Sequence, residues 1–399
     1  MRILHTSDWH LGRTFHGVEL LADQARALSD LAAIVADESV DVVVVAGDIY
    51  DRSVPPADAV AVYDRGLAAI AAAGAQIVLT SGNHDSPTRL GAGSGFAAAG
   101  GLHLRTSIAA IDAPVLLSDE HGEVAIYGLP YLEPDTARTE LGVDEARSHA
   151  AVLTAAMNRV RADVTDRGVR SVVAAHAFVV GALASGSERS ITVGGVETVG
   201  AEVFSGVDYV ALGHLHSPQQ LSESVRYSGS LLPYSFGERS DHKSVWIVDL
   251  DADGLAEVRK RELPPVRGLS SLRGTLDDLL TDDVHLAAED HYVEATLTDA
   301  VRPVDAMRRL RQRFPHAVHV QWERPATIGA VDYRARVHGR PDDEIVCAFI
   351  SDVRDRPSSS ERLLVDAALR AVVGEPEADG GADTELALFD IQSMVADSA

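Results

Sequence analysis

An α/β fold built on a parallel β-layer is what the sequence predicts, and three observations carry the expectation. From Arg2 to Thr80, short apolar strands alternate with amphipathic helices in the order strand, helix, strand, helix, strand, the rhythm of a parallel layer with crossover helices. The second strand opens the run VVVVAGDIYD, Val42 to Asp51; its four consecutive valines are β-branched, too few to span a membrane, and read as a fully buried central strand. Each strand then stops at polar residues, and in open α/β sheets ligands gather outside the carboxyl ends of the strands.

Composition bounds the function before any motif does. A chain of 399 residues exceeds the roughly 250 to 300 at which single cores stop growing, so two or three domains are expected. With 46% hydrophobic and 24% charged residues the composition is that of a globular protein, and no run approaches the roughly 18 apolar residues a spanning helix needs. MRILHTSDWHLG lacks the apolar segment of a signal peptide, so no membrane association and a cytoplasmic location are expected. Cys347, the sole cysteine, excludes an internal disulfide and cysteine-rich zinc modules; it reads as a small buried residue of the apolar run Ile345 to Ile350. The net charge of −25 argues against free-standing nucleic-acid binding unless basic residues cluster locally or a partner supplies them. No GxxxxGK[ST] loop occurs, so the chain is not itself a P-loop ATPase.

Element by element, Arg2 to Thr6 reads as a strand, Val18 to Asp37 as a helix, and Pro55 and Pro56 open a second helix that Gly74 ends before the strand Gln76 to Thr80. Beyond Pro87 come glycine-rich loops, a short strand Val124 to Tyr127, a long helix from about Val143 to Arg167, and a strand Arg170 to Ala175 ending in His176. Gly181 to Ser190 reads as a surface loop, Val207 to Leu212 as a strand, and Val225 to Ser228 with Ser244 to Leu250 as antiparallel strands, followed by a hairpin turn Asp251 to Gly254. Pro264, Pro265 and Gly268 mark a linker. Tyr292 to Leu297, Pro303 to Phe314 and Ala317 to Trp322 then form a βαβ-like unit rich in arginine: Arg302, Arg308, Arg309, Arg311, Arg313 and Arg324. Ser358 and Glu361 form a capping box for a helix through Val372, Glu375 to Asp383 is acidic and glycine-rich, and an apolar cluster from Leu386 to Met394 closes the chain.

The strand endings collect Asp8 and His10, Asp48 and Asp51, Asn83, His84 and Asp85, His176, and His214 and His216. One histidine after a strand is ordinarily structural, and one aspartate there is ordinarily a turn former or helix cap. Five histidines all at strand ends, beside carboxylates, form a donor set for zinc, manganese or iron rather than magnesium. Residues i and i+2 of an extended backbone project to one face, so Asp8 with His10, and His214 with His216, can reach a common point.

These blocks, DWH, GDIYD, GNHD, His176 and GHLH, appear in the order of the calcineurin-like metallophosphoesterase superfamily, which the sequence resembles. Within it, MRILHTSDWHLG, SGNHDS and YSGSLLPYSFGE are similar to the SbcD-type nuclease subunits of SbcCD complexes. The resemblance implies a four-layer sandwich of two mixed sheets flanked by helices over 1–265, a small α+β capping domain over 266–325 that selects DNA, and a helical C-terminal segment over 326–399 that binds a coiled-coil ATPase of SbcC type. It also implies two divalent metals, manganese being expected. Asp8, His10, Asp48 and His216 would hold one and Asp48, Asn83, His176 and His214 the other, with Asp48 shared. Such a pair can clamp a phosphodiester for in-line attack. His84 is the candidate general acid, Asp85 is expected to orient a histidine, and Asp51 either does likewise or closes a turn.

The expected activity is metal-dependent hydrolysis of DNA, exonucleolytic on duplex ends and endonucleolytic on single strands or hairpins, in repair, recombination and replication. The expected setting is a homodimer within a heterotetramer, associated with the nucleoid when on DNA. A phosphomonoesterase or cyclic-nucleotide phosphodiesterase on the same scaffold is the alternative within the enzyme class; it would have no need of the arginine-rich unit, here expected to contact DNA. A mainly structural subunit that recruits the ATPase would have no use for a complete ligand set.

Overall fold

The computed structural model describes residues 1–179, 199–323, 337–354 and 356–373. The expected surface loop at 181–190, the acidic stretch at 375–383 and the apolar cluster at 386–394 lie outside them. Among the described residues no helix is long and apolar enough to cross a membrane.

Residues 1–299 and 303–323 form one compact unit whose centre is two stacked six-stranded mixed sheets. The first runs in the order Gly254–Glu262, Ser244–Asp251, Arg2–Thr6, Val42–Ala46, Gln76–Thr80, Leu102–Leu104. Its last four strands are parallel, and Ser244–Asp251 is antiparallel to both neighbours. The second runs Gln219–Gln220, Val225–Tyr227, Tyr209–Gly213, Arg170–His176, Gly122–Leu129, Val115–Asp119, parallel in the middle and antiparallel at both edges.

Four valines in a row are explained by this stacking. Alternate residues of a strand face opposite ways. Val42 and Val44 therefore pack between the sheets with Ile126, Val172 and Ala211, while Val43 and Val45 pack outward with Leu28, Leu31 and Ile70 of the covering helices. Both faces are buried, so alternation of polar and apolar residues is lost; each fully buried valine is worth about 1.5–3 kcal/mol. Leu21–Asp37 and Ala57–Ala72 cover the first sheet, the latter starting after Pro56 in an extended conformation. His149–Arg167 covers the second with Val152, Leu153, Ala156, Met157 and Val160, a stripe at helical spacing. The result is the expected order of helix, sheet, sheet, helix.

Boundaries and pairings differ from expectation in several places. Val18 and Glu19 pair with Thr14 and Phe15 in a small hairpin, so the first helix starts at Leu21. The long helix starts at His149, where the Ser148 hydroxyl accepts the Ala151 amide, and a separate helix Pro134–Glu140 precedes it. Val225–Tyr227 does not pair with Ser244–Asp251; it joins the second sheet, parallel to Tyr209–Gly213. The βαβ-like unit has a third strand, Leu269–Gly274, giving a parallel sheet with Tyr292–Leu297 and Ala317–Trp322. Leu279, Val293, Leu310 and Phe314 form its own small core, and its helix runs Ala306–Arg313 rather than from Pro303. Tyr292 also joins the larger core and donates its hydroxyl to Asp23 at 3.2 Å.

Among the described residues of the second unit, 300–302 with 324–399, are the helices Asp342–Val353 and Ser359–Val373. The capping box is present: the Ser358 amide donates to Glu361 at 2.8 Å and the Glu361 amide returns to the Ser358 hydroxyl at 3.3 Å. Cys347 is half-buried in the first of these helices, not fully buried as expected.

Candidate metal centre

The two stacked sheets end their parallel strands at one edge, and the polar strand endings meet there. Asp8 and His10 follow the first strand, Asp48 follows Val42–Ala46, Asn83 and His84 follow Gln76–Thr80, His176 closes Arg170–His176, and His214 and His216 follow Tyr209–Gly213. Backbone ladders lock these endings together: the Asp8 amide donates to the Gly47 carbonyl and the His10 amide to the Asp48 carbonyl, both at 3.0 Å.

The local backbone is strained. Asp8, His10, Asp48 and His214 all have positive φ, of 52°, 45°, 51° and 112°, conformations that side-chain-bearing residues rarely adopt. Such strain persists only where the surroundings over-determine it, and here it turns side chains off the strand axes toward a shared point. Glycine permits the close approach. A Cβ on Gly82 would lie 2.1 Å from the Asp48 carboxylate, and one on Gly213 would lie 1.9 Å from the Ala46 carbonyl.

Asp48 Oδ2 is the focus, 3.5 Å from His176 Nε2, 3.6 Å from His10 Nε2 and 4.0 Å from His84 Nε2. His176 Nδ1–H donates to the Ala46 carbonyl at 2.9 Å, which leaves Nε2 as the nitrogen facing Asp48 and the Asn83 Oδ1, 3.0 Å away. On the other side His10 Nε2 and His216 Nε2 face each other at 3.0 Å. Three trios bring their ligand atoms within 4.8 Å of one another: Asp8, His10 and His216; His10, Asp48 and His84; Asp8, Asp48 and His176. His214 holds Asp8 through its backbone amide at 3.0 Å, and its ring stands edge-on to that of His176, centroids 5.3 Å apart.

The electrostatics fit a cation. Burial pushes the Asp8 carboxyl up to about 7, against the pull of His176 and with further push from Asp48. Burial likewise drives His10, His214 and His216 well below the usual imidazole range, so they are neutral and present lone pairs. His10 Nδ1 is buried without a hydrogen-bond partner, and two neutral imidazoles with their Nε2 atoms 3.0 Å apart can be bridged by a proton or by a cation. Two aspartates, one asparagine and neutral histidines suit divalent ions of the manganese, iron and zinc class.

The remaining predicted residues fall into distinct places. His84 Nδ1–H donates to the Asp51 carbonyl at 2.8 Å, which turns its Nε2 inward. The Asp51 carboxylate lies 3.7 Å from both His10 Nδ1 and Arg13, so Asp51 touches two histidines through two different groups. Asp85 does not orient a histidine: its carboxylate accepts the amides of Ile49, Tyr50 and Gly82 at 2.9 to 3.1 Å, stapling the two loops that follow Val42–Ala46 and Gln76–Thr80. Burial raises its pKa while those three amides oppose the rise. Of the arginines, Arg313 bonds Glu289 and the Leu279 carbonyl, Arg311 the Ala317 carbonyl, and Arg308 pairs with Asp305, whereas Arg309 is exposed.

Several supporting residues were assigned no role from the sequence. Buried Gln24 donates to the His10 carbonyl at 2.7 Å, accepts the Gly12 amide at 3.0 Å, and meets Tyr234, whose hydroxyl donates to the Trp9 carbonyl at 2.6 Å. Behind His216, a buried ion pair of Lys243 and Glu238 anchors the loop: Lys243 donates to the His216 carbonyl at 2.7 Å and to Ser230 at 3.1 Å. Gln24 and Lys243 are ordinary polar residues in sequence, whereas Tyr234 and Glu238 belong to the segment YSGSLLPYSFGE, whose role only the fold makes plain.

Among the described residues two open clefts adjoin the cluster, beside a small cavity lined by Tyr131, His149 and His176. One is lined by Arg13, His16, Tyr234, Arg239 and Glu294, with the Tyr234 ring edge-on to His10 at 5.4 Å and to His216 at 5.5 Å. The other is lined by Asn83, Tyr131 and a series of hydroxyl-bearing residues.

Solved structures similar to this chain include a Thermus thermophilus protein at 15% identity and TM-score 0.39, a dimetal phosphatase from Danio rerio at 14% and 0.37, and the anchor in the inner membrane complex of Plasmodium at 10% and 0.34. They cover 66%, 66% and 82% of this chain, and each is itself covered to 99%. Residues 265–353 match the SbcD C-terminal family model, described as the type 5 capsule protein repressor C-terminal domain. Residues 1–218, which include every strand ending that meets at Asp48, match the calcineurin-like phosphoesterase model. With that match spanning more than half its length, the chain belongs to the calcineurin-like phosphoesterase family.

Proposed function

We propose that the chain is the metal-dependent nuclease subunit of an SbcCD-type complex, hydrolysing DNA phosphodiesters in end processing, repair and recombination. The observation that carries the reading is Asp48, whose Oδ2 lies within 3.5 to 4.0 Å of the Nε2 atoms of three buried histidines from three separate strand endings. In this reading Asp8, His10, Asp48 and His216 hold one divalent ion and Asp48, Asn83, His176 and His214 a second, manganese being the proposed pair. Bound there, such ions polarise the phosphodiester and lower the pKa of the attacking water.

The protein's own groups do the rest. His84, with Nδ1–H fixed on the Asp51 carbonyl, can carry a proton on Nε2 and deliver it to the departing sugar oxygen, a leaving group too basic to depart unprotonated. Asp85 keeps the two loops in register by holding three amides at once. Arg13 and Arg239 bring two guanidinium groups to the cleft beside Tyr234, which Glu294 also lines, and so offer phosphate partners within a chain whose net charge is −25. The match over 265–353 supports the SbcD-type assignment over a generic phosphomonoesterase. In the proposed architecture 266–325 is the capping domain, with Arg309 among its exposed cations, and 326–399 binds the coiled-coil ATPase, two copies of each subunit assembling together.

Purified protein assayed with manganese and with magnesium on a labelled duplex, a hairpin and a phosphomonoester tests this. Cleavage of the two DNAs with manganese, and little turnover of the monoester, is expected. Efficient monoester hydrolysis with intact DNA would instead identify a phosphomonoesterase.

A further inference from the structure

The two clefts beside the metal centre differ in a way that bears on how a substrate lies across it. A phosphodiester seated at Asp48 has two ester arms, and each side of the cluster offers one cleft. The His10 and His216 side opens to a cleft whose charged members are Arg13, Arg239 and Glu294, with the Arg13 guanidinium 4.7 Å over the Tyr234 ring. The Asn83 side opens to a cleft of about 670 Å³ whose lining, among the described residues, includes no lysine or arginine. Its charged members are Asp85, already bonded to three amides, and the acidic Glu133 and Glu140. The rest is hydroxyls, small apolar groups and one aromatic ring.

That ring is Tyr131. Its amide is tied to the Ser81 carbonyl at 2.8 Å, next to the loop that carries Asn83, and its hydroxyl donates to Glu133 at 3.2 Å. Its centroid is 6.4 Å from that of His176. An aromatic face held by its own backbone, in a cleft that repels phosphate but offers hydroxyl partners, suits a base and sugar rather than a run of backbone phosphates.

We propose that the Tyr131 cleft is a nucleoside subsite. It receives the single nucleoside on one side of the scissile phosphate, stacked on Tyr131, while the phosphate-bearing remainder of the strand leaves through the Arg13 and Arg239 cleft. The proposal rests on the nuclease reading and deepens it, because it fixes which arm of the substrate carries further phosphates.

Thymidine 5′-monophosphate and methyl phosphate share a phosphate and differ in the nucleoside. Each is titrated calorimetrically into the manganese-loaded full chain. The nucleotide should bind more tightly than methyl phosphate. Tyr131→Ala should weaken nucleotide binding about tenfold, the usual worth of one lost base stack, and leave methyl phosphate unchanged, while Tyr131→Phe should retain wild-type affinity. Ser107→Trp, at the exposed rim, should narrow the cleft and select against the nucleotide in the same way without altering the ring. Equal affinity of the wild type for both ligands, or equal loss of both in either variant, would overturn the subsite. Selective nucleotide binding by a wild type that cuts no DNA would uphold the subsite and refute the nuclease reading instead.

Discussion

Replacing Lys243 with methionine is expected to damage both the fold and one half of the metal centre. Lys243 and Glu238 have side chains only 7% and 0% exposed, and the ammonium also bonds the His216 carbonyl at 2.7 Å and Ser230 at 3.1 Å. Lys243→Met takes the ammonium away from the buried Glu238 carboxylate, which keeps the Tyr234 amide at 3.2 Å. Breaking one side of a buried pair costs about 3–5 kcal/mol, a large part of the roughly 5–15 kcal/mol that keeps a domain folded. At about 2–4 °C per kcal/mol, the melting temperature should fall by roughly 10 °C. Replacing both residues with methionine removes the carboxylate along with the ammonium, so the double variant should melt closer to the wild type than the single one. Both variants lose one of the donors to the His216 carbonyl, the Ser230 amide at 3.0 Å remaining, and manganese affinity should fall by up to about tenfold, the low end for lost support of a ligand. The assay is thermal denaturation of metal-free protein followed by manganese titration. A single variant within about 1 kcal/mol of the wild type would refute the energetic reasoning, and a double variant with wild-type manganese affinity would show that the pair supports only the fold.

Two further perturbations separate other roles. His5 is buried between the Tyr209 hydroxyl, 3.0 Å from Nδ1, and the Leu212 carbonyl, 3.1 Å from Nε2, and burial lowers its pKa to about 3. Between pH 6.5 and 3 the unfolded chain takes up a proton that the folded chain refuses, so this contribution to stability is lost on acidification at about 1.4 kcal/mol per pH unit. His5→Gln should flatten the fall in urea midpoint between pH 6 and 4; parallel slopes in variant and wild type would contradict the assignment. His84→Gln should preserve manganese content while DNA cleavage falls by about 10²- to 10⁴-fold, the range for a lost general acid. Loss of one manganese equivalent would make His84 a ligand, as the trio of His10, Asp48 and His84 permits.

How much of this was legible beforehand depends on how each feature is encoded. The valine run and the strand endings were, because burial on both faces and polar residues after a strand leave local patterns. The capping box of Ser358 and Glu361 was legible for the same reason, since its partners are three residues apart. The role of Asp85 was not: a carboxylate beside histidines suggests an imidazole partner, but the fold spends it on three amides from two loops. Gln24 lies 210 residues from its partner Tyr234, and Lys243 lies 27 from the carbonyl it holds, so no spacing rule points to either. The hairpin at Thr14 to Glu19 and the start of the long helix at His149 were set by strand pairing and by a serine cap, both of which override helical periodicity at the margins. The arginine pattern was visible, but the fold commits Arg311 and Arg313 to internal bonds, so composition overstated the cations left for DNA.

The most direct test is the manganese content of the purified chain, by elemental analysis after equilibrium dialysis, for the wild type and for Asp48→Asn. Asp48 faces both halves of the cluster, so the wild type should hold two equivalents per chain, and the variant should lose affinity at both sites together and cleave no DNA. A wild type that binds one equivalent, or an Asp48→Asn variant that keeps two and still cleaves, would contradict a two-metal centre shared through Asp48.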